Sequence, residues 1–323
     1  MRLAFIAFAL MLLAQHEVRA NCPGLDPDTL RWISKPQFNQ ELSADAKSHS
    51  SSGRIGVATA VINGLKQFIR IDLPDRAIPG SADYDGTLSA VFFVHGWVPE
   101  SARRLYQMGK DPGSYYGPII QSLADAGFVV ISPFLRGHGF SETEQADGIR
   151  DVRGESLQRD YARDILALWL YRDPVIRWLT EGNASTTAEL TQTSFFGHSM
   201  GAGAIADILG SSCFGTMPSR VPVVLWAGTF AEVNRSEARP DSRFVVWILH
   251  GDRDRFVGPS QQQRFHDFLV SNDVEAYYEQ MIGRNHEFSV MQSSQLAADP
   301  NDAALSLLLK RTASFLRHAR YQP

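Results

Sequence analysis

From about residue 90 onward, short unbroken apolar runs alternate with longer amphipathic stretches. Ala90-Val91-Phe92-Phe93-Val94 has no polar interruption, as expected of a strand buried on both faces, and runs straight into His95-Gly96-Trp97. Further strands are predicted at Phe128 to Ser132, Thr193 to Phe196, Val221 to Trp226, Phe244 to His250 and Glu275 to Ile282. Helical periodicity falls between them, at Tyr116 to Ala126, Leu157 to Leu179, Met200 to Leu209, Ser260 to Val270 and Asp302 to Arg317. Such alternation predicts a mostly parallel sheet with helices on both faces. Upstream, GVATAVI and KQFIRIDL flank Asn63-Gly64, a pair suited to the positive φ of a tight primed turn, so a hairpin of two antiparallel edge strands is expected.

The N-terminal part has a different pattern. Arg2 precedes an apolar stretch from Leu3 to about Ala14, and Val18 and Ala20 are placed for signal-peptidase cleavage. A dozen apolar residues fall short of the ~20 that a bilayer span needs. Residues 1–20 are therefore expected to be a signal peptide, residues 21–52 a polar, turn-rich arm and residues 53–323 a single α/β domain. A secreted or periplasmic product with no stable membrane span follows. At 323 residues and 44% hydrophobic, the chain has enough apolar surface for one large core. A net charge of −4 with no dense basic run removes the electrostatic footprint of a nucleic-acid binder. The two cysteines, Cys22 and Cys213, are candidates for a disulfide in an oxidising compartment. Asn183-Ala184-Ser185 and Asn234-Arg235-Ser236 match the glycosylation acceptor pattern, which matters only in a eukaryotic host.

Chemistry concentrates after the Thr193 to Phe196 strand, in Gly197-His198-Ser199-Met200-Gly201 followed by Ala202-Gly203-Ala204. Chance alone supplies about 0.1 GxSxG matches in a chain of this length, so context carries the weight. A sharp strand-to-helix turn lifts the serine hydroxyl out of the sheet and tolerates no bulk at the flanking positions, which accounts for the glycines. The helix start then offers free N–H groups and positive dipole to a developing oxyanion.

On these residues, over about Gly53 to Arg317, the sequence resembles the α/β-hydrolase superfamily, whose nucleophile elbow often reads GHSMG. The resemblance implies an eight-stranded α/β-hydrolase fold with Ser199 as nucleophile. It also implies an oxyanion hole made by the N–H of Met200 and one from the loop His95-Gly96-Trp97, with Trp97 as donor and Val98 as the alternative. Family order is serine, acid, histidine, leaving His250, His266, His286 and His318 as possible bases. His286 alone follows the last strand in a turn-like segment and is taken as the base. In His250-Gly251-Asp252-Arg253-Asp254 the family pattern HGxxD selects Asp254 as the acid, with Asp252 as a loop-capping or salt-bridging neighbour.

The segment Leu135-Arg136-Gly137-His138-Gly139-Phe140-Ser141 looks like the family's turn after the fourth strand, with its arginine in packing or an ion pair. Tyr115, Tyr116, Trp226, Phe230, Phe256 and Phe288 lie near strand ends, and as a group they predict an apolar or aromatic substrate side. Fewer than twenty residues separate Trp226 from the strand at Phe244, so no large cap is expected and the cleft is open. Neither metal-ligand clusters nor nucleotide-binding motifs occur in the sequence, so no cofactor is expected.

Together these features predict a serine esterase acting through an acyl-enzyme on a small-molecule or polymeric ester, similar to dienelactone-hydrolase-like esterases and secreted polyester hydrolases. Two alternatives stand beside it. One is a peptidase or amidase related to prolyl oligopeptidases, and the other a non-catalytic binding protein on the same fold.

Overall fold

The computed structural model describes residues 54–62, 64–74, 87–97, 116–138, 141, 155–170, 189–211, 213, 220–230, 239–286 and 303–321. The expected signal peptide and arm, both glycosylation motifs, Cys22, Asn63, Val98, Tyr115 and Phe288 lie outside them. Eight strands form one sheet: β1 (Arg54–Ile62), β2 (Leu65–Leu73), β3 (Thr87–Val94), β4 (Phe128–Pro133), β5 (Glu189–His198), β6 (Val221–Trp226), β7 (Phe244–Gly251) and β8 (Glu275–Met281). Their order is β1-β2-β4-β3-β5-β6-β7-β8. The pairs β1/β2 and β2/β4 are antiparallel and all others parallel. Five helices are described: α1 (Gly117–Asp125), α2 (Glu155–Leu170), α3 (Met200–Ile208), α4 (Pro259–Ser271) and α5 (Ala303–His318).

The hairpin forms about Gly64, whose φ of +79° a residue with a Cβ adopts only under strain. It corrects one expectation, because only β1 lies at the edge. β2 is held on its other side by β4 from Ile69 to Asp72, and so it is buried from Gln67 onward. The helix expected over 157–179 is described from Glu155 to Leu170.

Two-residue alternation divides each central strand between two cores. Ala90, Phe92 and Val94 of β3 face the core that contains residues of α2, α3 and α4, while Val91 and Phe93 face the one built with α1 and α5. β7 divides likewise, with Val246 and Ile248 in the first core and Val245, Trp247 and Leu249 in the second. Beneath the end of β5, the Phe196 ring meets Phe93 at 5.3 Å and Trp226 at 4.9 Å, both edge-on. Contacts of this kind add roughly 0.5–1.5 kcal/mol each beyond simple burial and hold three neighbouring strands in register.

The segment after β4 is tied down by an ion pair. Arg136 donates Nε and Nη2 to the two oxygens of Asp164 on α2, at 2.6 and 2.8 Å, with both side chains buried. Arg136 Nη1 also lies 3.8 Å from Asp160 Oδ2, so the guanidinium is shared between two carboxylates of α2. Burial, then the Asp164 charge, push the neighbouring Tyr161 phenol well above its ordinary range.

Cys213 is disulfide-bonded, and the chain's one other cysteine is Cys22. No helix among the described residues is long and apolar enough to cross a membrane.

Candidate active site

Ser199 stands between the last residue of β5 and the first of α3, with φ +53° and ψ −120°. This backbone conformation is costly for a residue with a Cβ and persists only where its surroundings fix it. Three backbone hydrogen bonds do so: Ser199 N–H donates to Trp226 O at 2.8 Å, and Ser199 O accepts from Gly203 N–H at 3.1 Å and Thr229 N–H at 3.2 Å. The glycines of the motif are steric necessities. A Cβ on Gly197 would lie 2.6 Å from Ala202 Cα, and one on Gly201 would lie 2.2 Å from Val94 O. Bulk at either position would force α3 away from the sheet.

His286 arrives on the turn after β8, and its Nε2 lies 2.9 Å from Ser199 Oγ. On the other side of the ring, Nδ1 lies 2.7 Å from Asp254 Oδ2. The ionised carboxylate only accepts, so Nδ1 is the donor in that bond and Nε2 faces the serine hydroxyl. Asp254 Oδ1 accepts N–H bonds from Phe256 at 2.8 Å and Val257 at 2.9 Å. Burial alone would raise the Asp254 carboxyl; the bonds from His286, Val257 and Phe256 outweigh it and hold the group below the usual carboxylate range.

The remaining candidates fall elsewhere. His250 is buried beside Asp254, its Nδ1 3.8 Å from Asp254 Oδ2, and burial pushes its pKa down. His266 sits on α4 beside Asp267, and His318 ends α5 on the surface. Asp252 fills the loop-capping role, accepting Gly283 N–H at 2.6 Å and so bracing the turn that carries His286.

Met200 follows the serine in the chain, and Trp97 follows Gly96 in the loop after β3. Gly96 approaches so closely that a Cβ on it would lie 2.9 Å from Ser199 Cβ. Gly96 O is 2.7 Å from His95 Nδ1, and His95 Nε2 accepts Leu135 N–H at 3.1 Å, so Nδ1 is the donor. In a trans peptide the C=O and N–H point in opposite directions, so the carbonyl pinned to His95 turns the Trp97 N–H the other way. Met200 is the first residue of α3, whose opening N–H groups have no partner within the helix.

The aromatic group separates. Tyr116, Trp226 and Phe230 are at most 2% exposed and belong to the cores, as expected of each taken singly, so they take no part in the apolar substrate side that the group suggested. Being near a strand end does not decide whether a side chain points up into the cleft or sideways into the helix layer. Phe256 is 78% exposed, with its ring 5.2 Å from His286. Trp97 and Ile282, also exposed, lie on the two other loops that carry the site. Sequence reasoning missed His198 and Tyr116 as hydrogen-bonding members of this region: His198 Nδ1 lies 3.0 Å from Tyr116 Oη, and no sequence signal links residues 82 positions apart. No group of three or more His, Cys, Asp or Glu residues that could hold a metal ion occurs among the described residues.

No protein-family model matches the chain, and no curated protein matches its sequence. Solved structures do match its shape. A dienelactone hydrolase-like promiscuous phosphotriesterase from metagenomic libraries superposes with a TM-score of 0.54 at 14% identity, covering 82% of this chain and 99% of that one. The protein has the α/β-hydrolase fold. Esterase 2 of Thermogutta terrifontis is similar to the same extent: its tabun-modified form gives a TM-score of 0.51 at 13% identity, covering 84% of this chain and 96% of that one. The form phosphorylated by paraoxon gives 0.50 at 13% identity, covering 84% and 95%. On this α/β-hydrolase fold, Ser199, His286 and Asp254 stand at the carboxyl ends of β5, β8 and β7, where open α/β sheets place their ligands.

Proposed function

We propose that this protein is a serine hydrolase that cleaves carboxylic esters through an acyl-enzyme intermediate. The observation that carries the reading is the unbroken hydrogen-bonded line from Ser199 Oγ through His286 to Asp254, with the serine held in a strained backbone. His286 Nε2 takes the hydroxyl proton as Ser199 Oγ attacks the carbonyl carbon. Asp254 stays ionised and stabilises the imidazolium, and the N–H groups of Trp97 and Met200 receive the oxyanion. Collapse of the tetrahedral adduct expels the alcohol, which takes its proton from His286. Water repeats the sequence on the acyl-enzyme and frees Ser199.

The short 227–243 connection between β6 and β7 and the exposed apolar residues Trp97, Phe256 and Ile282 support an open cleft with an apolar substrate side, in a small or a polymeric ester. The signal-like residues 1–20 and the disulfide at Cys213 support action in a secreted or periplasmic setting.

A fluorophosphonate probe is expected to label the wild-type protein covalently and to leave Ser199→Ala unlabelled. Matched p-nitrophenyl esters and aminoacyl anilides then decide the bond type: ester turnover should dominate. Faster anilide cleavage would make the protein an amidase, and an unlabelled wild type would make it a non-catalytic member of the fold.

A further inference from the structure

His198 precedes the nucleophile and has no place in the reaction just described, yet it is 2% exposed and both its ring nitrogens are bonded. Gly96 N–H donates to Tyr116 Oη at 2.8 Å. Tyr116 Oη lies 3.0 Å from His198 Nδ1, and His198 Nε2 lies 3.0 Å from the backbone oxygen of His286. The two ends fix the direction of the outer bonds. A peptide N–H only donates and a carbonyl only accepts, so His198 Nε2 carries hydrogen toward His286 O. Burial, followed by the nearby His286, pushes the His198 pKa down to about 3, so the ring is neutral and Nδ1 is bare. Tyr116 therefore donates its hydroxyl proton to Nδ1. All three bonds run in one direction, from the backbone beside Trp97 to the backbone of the base.

We propose that Tyr116 and His198 are positioning residues whose buried hydrogen-bonded bridge sets the distance between the oxyanion loop and the loop that carries His286. The proposal rests on the serine-hydrolase reading above. The packing adds the nucleophile to the same place: a Cβ on Gly96 would meet Ser199 Cβ at 2.9 Å as well as Tyr116 Oη at 2.8 Å and His198 Nδ1 at 3.0 Å. The bridge, the nucleophile and the oxyanion loop thus meet around one residue with no room to spare. Neither bridge residue touches substrate, and they act through the geometry of Gly96-Trp97 on one side and of His286 on the other.

Tyr116→Phe removes a single hydroxyl and keeps the ring that packs on Phe93 at 5.2 Å. Slack of a fraction of an ångström at both loops is expected to lower kcat on p-nitrophenyl butyrate by roughly 10- to 100-fold, with KM changed less than about threefold. Fluorophosphonate labelling should slow by a similar factor. A purely structural role would instead reduce the folded fraction and leave kcat per labelled site unchanged. Wild-type labelling with Tyr116→Phe reacting at the wild-type rate would overturn the bridge while the hydrolase reading stands; an unlabelled wild type would overturn both. Imidazole nitrogen NMR on the folded wild-type protein needs no variant. A neutral His198 with its proton on Nε2, untitrated down to pH 5, is expected, and a proton on Nδ1 would refute the bridge.

Discussion

Replacing Gly251 by alanine should move His286, the proposed base, without touching it. Gly251 is the last residue of β7, and a Cβ built on it would lie 2.3 Å from Arg284 O and 2.6 Å from Asn285 O, the two residues before His286. Ordinary contact begins at 3.4 Å, and the colliding atoms are backbone, so no rotamer change relieves the clash. The turn must retreat by about 1 Å, and a shift of that size is worth about 100-fold in rate, or close to 3 kcal/mol of barrier. His286 Nε2 starts 2.9 Å from Ser199 Oγ, so the same retreat takes the pair beyond hydrogen-bonding distance. Steady-state hydrolysis of p-nitrophenyl butyrate by Gly251→Ala should show a kcat lowered by about two orders of magnitude with KM nearly unchanged. Overpacking should also cost about 1–3 kcal/mol of stability, read from a urea melt. A variant that melts like wild type and turns over within threefold of it would refute the reasoning, because the turn would then have slack that the contacts deny.

Two further outcomes are expected. Asp254→Asn should lower kcat by several orders of magnitude, since the amide both removes the charge that stabilises the imidazolium and disturbs the tautomer, whereas Asp252→Asn keeps an oxygen for Gly283 N–H and should lose far less; the opposite ranking in the same assay would reassign the acid. His198 should destabilise the fold in acid. Its pKa is lowered from 6.5 to about 3 on folding, so its contribution is intact above pH 6.5 and declines as pH falls toward 3, by about 2 kcal/mol at pH 5. Urea midpoints at pH 7.5 and 5.0 should therefore differ more for wild type than for His198→Gln, and equal differences would contradict the buried neutral ring.

The site was legible in sequence to the extent that its chemistry is local. Ser199 is announced by glycines on both sides, and half of the crowding that demands them is local: Gly197 meets Ala202, five positions on, whereas Gly201 meets Val94 of β3. Asp254 and His286 follow from their places after β7 and β8, and the buried strands could be read from unbroken apolar runs. What escaped is what depends on distance in the chain. Nothing in the sequence links Tyr116 to His198, and nothing in the sequence around Gly251 hints that its missing side chain makes room for Arg284. Periodicity also gave no direction to side chains at strand ends, so Tyr116, Trp226 and Phe230 read the same as Phe256, although three are buried and one faces solvent. The placing of β2 inside the sheet escaped for the same reason, because β4 is about sixty residues further on.

The backbone of Ser199 has a consequence for how this protein tolerates change. A non-glycine residue at φ +53° and ψ −120° stores about 1–3 kcal/mol, offset by the hydrogen bond that Ser199 donates to Trp226 and those it accepts from Gly203 and Thr229. Glycine would occupy that position with less strain and would leave no hydroxyl. On the proposed function, residue 199 is thus a point where the best sequence for folding and the best sequence for reaction differ, and selection for thermal endurance alone would drift toward an inert protein. Engineering this scaffold for stability means holding the least comfortable residue of the elbow constant and improving everything around it.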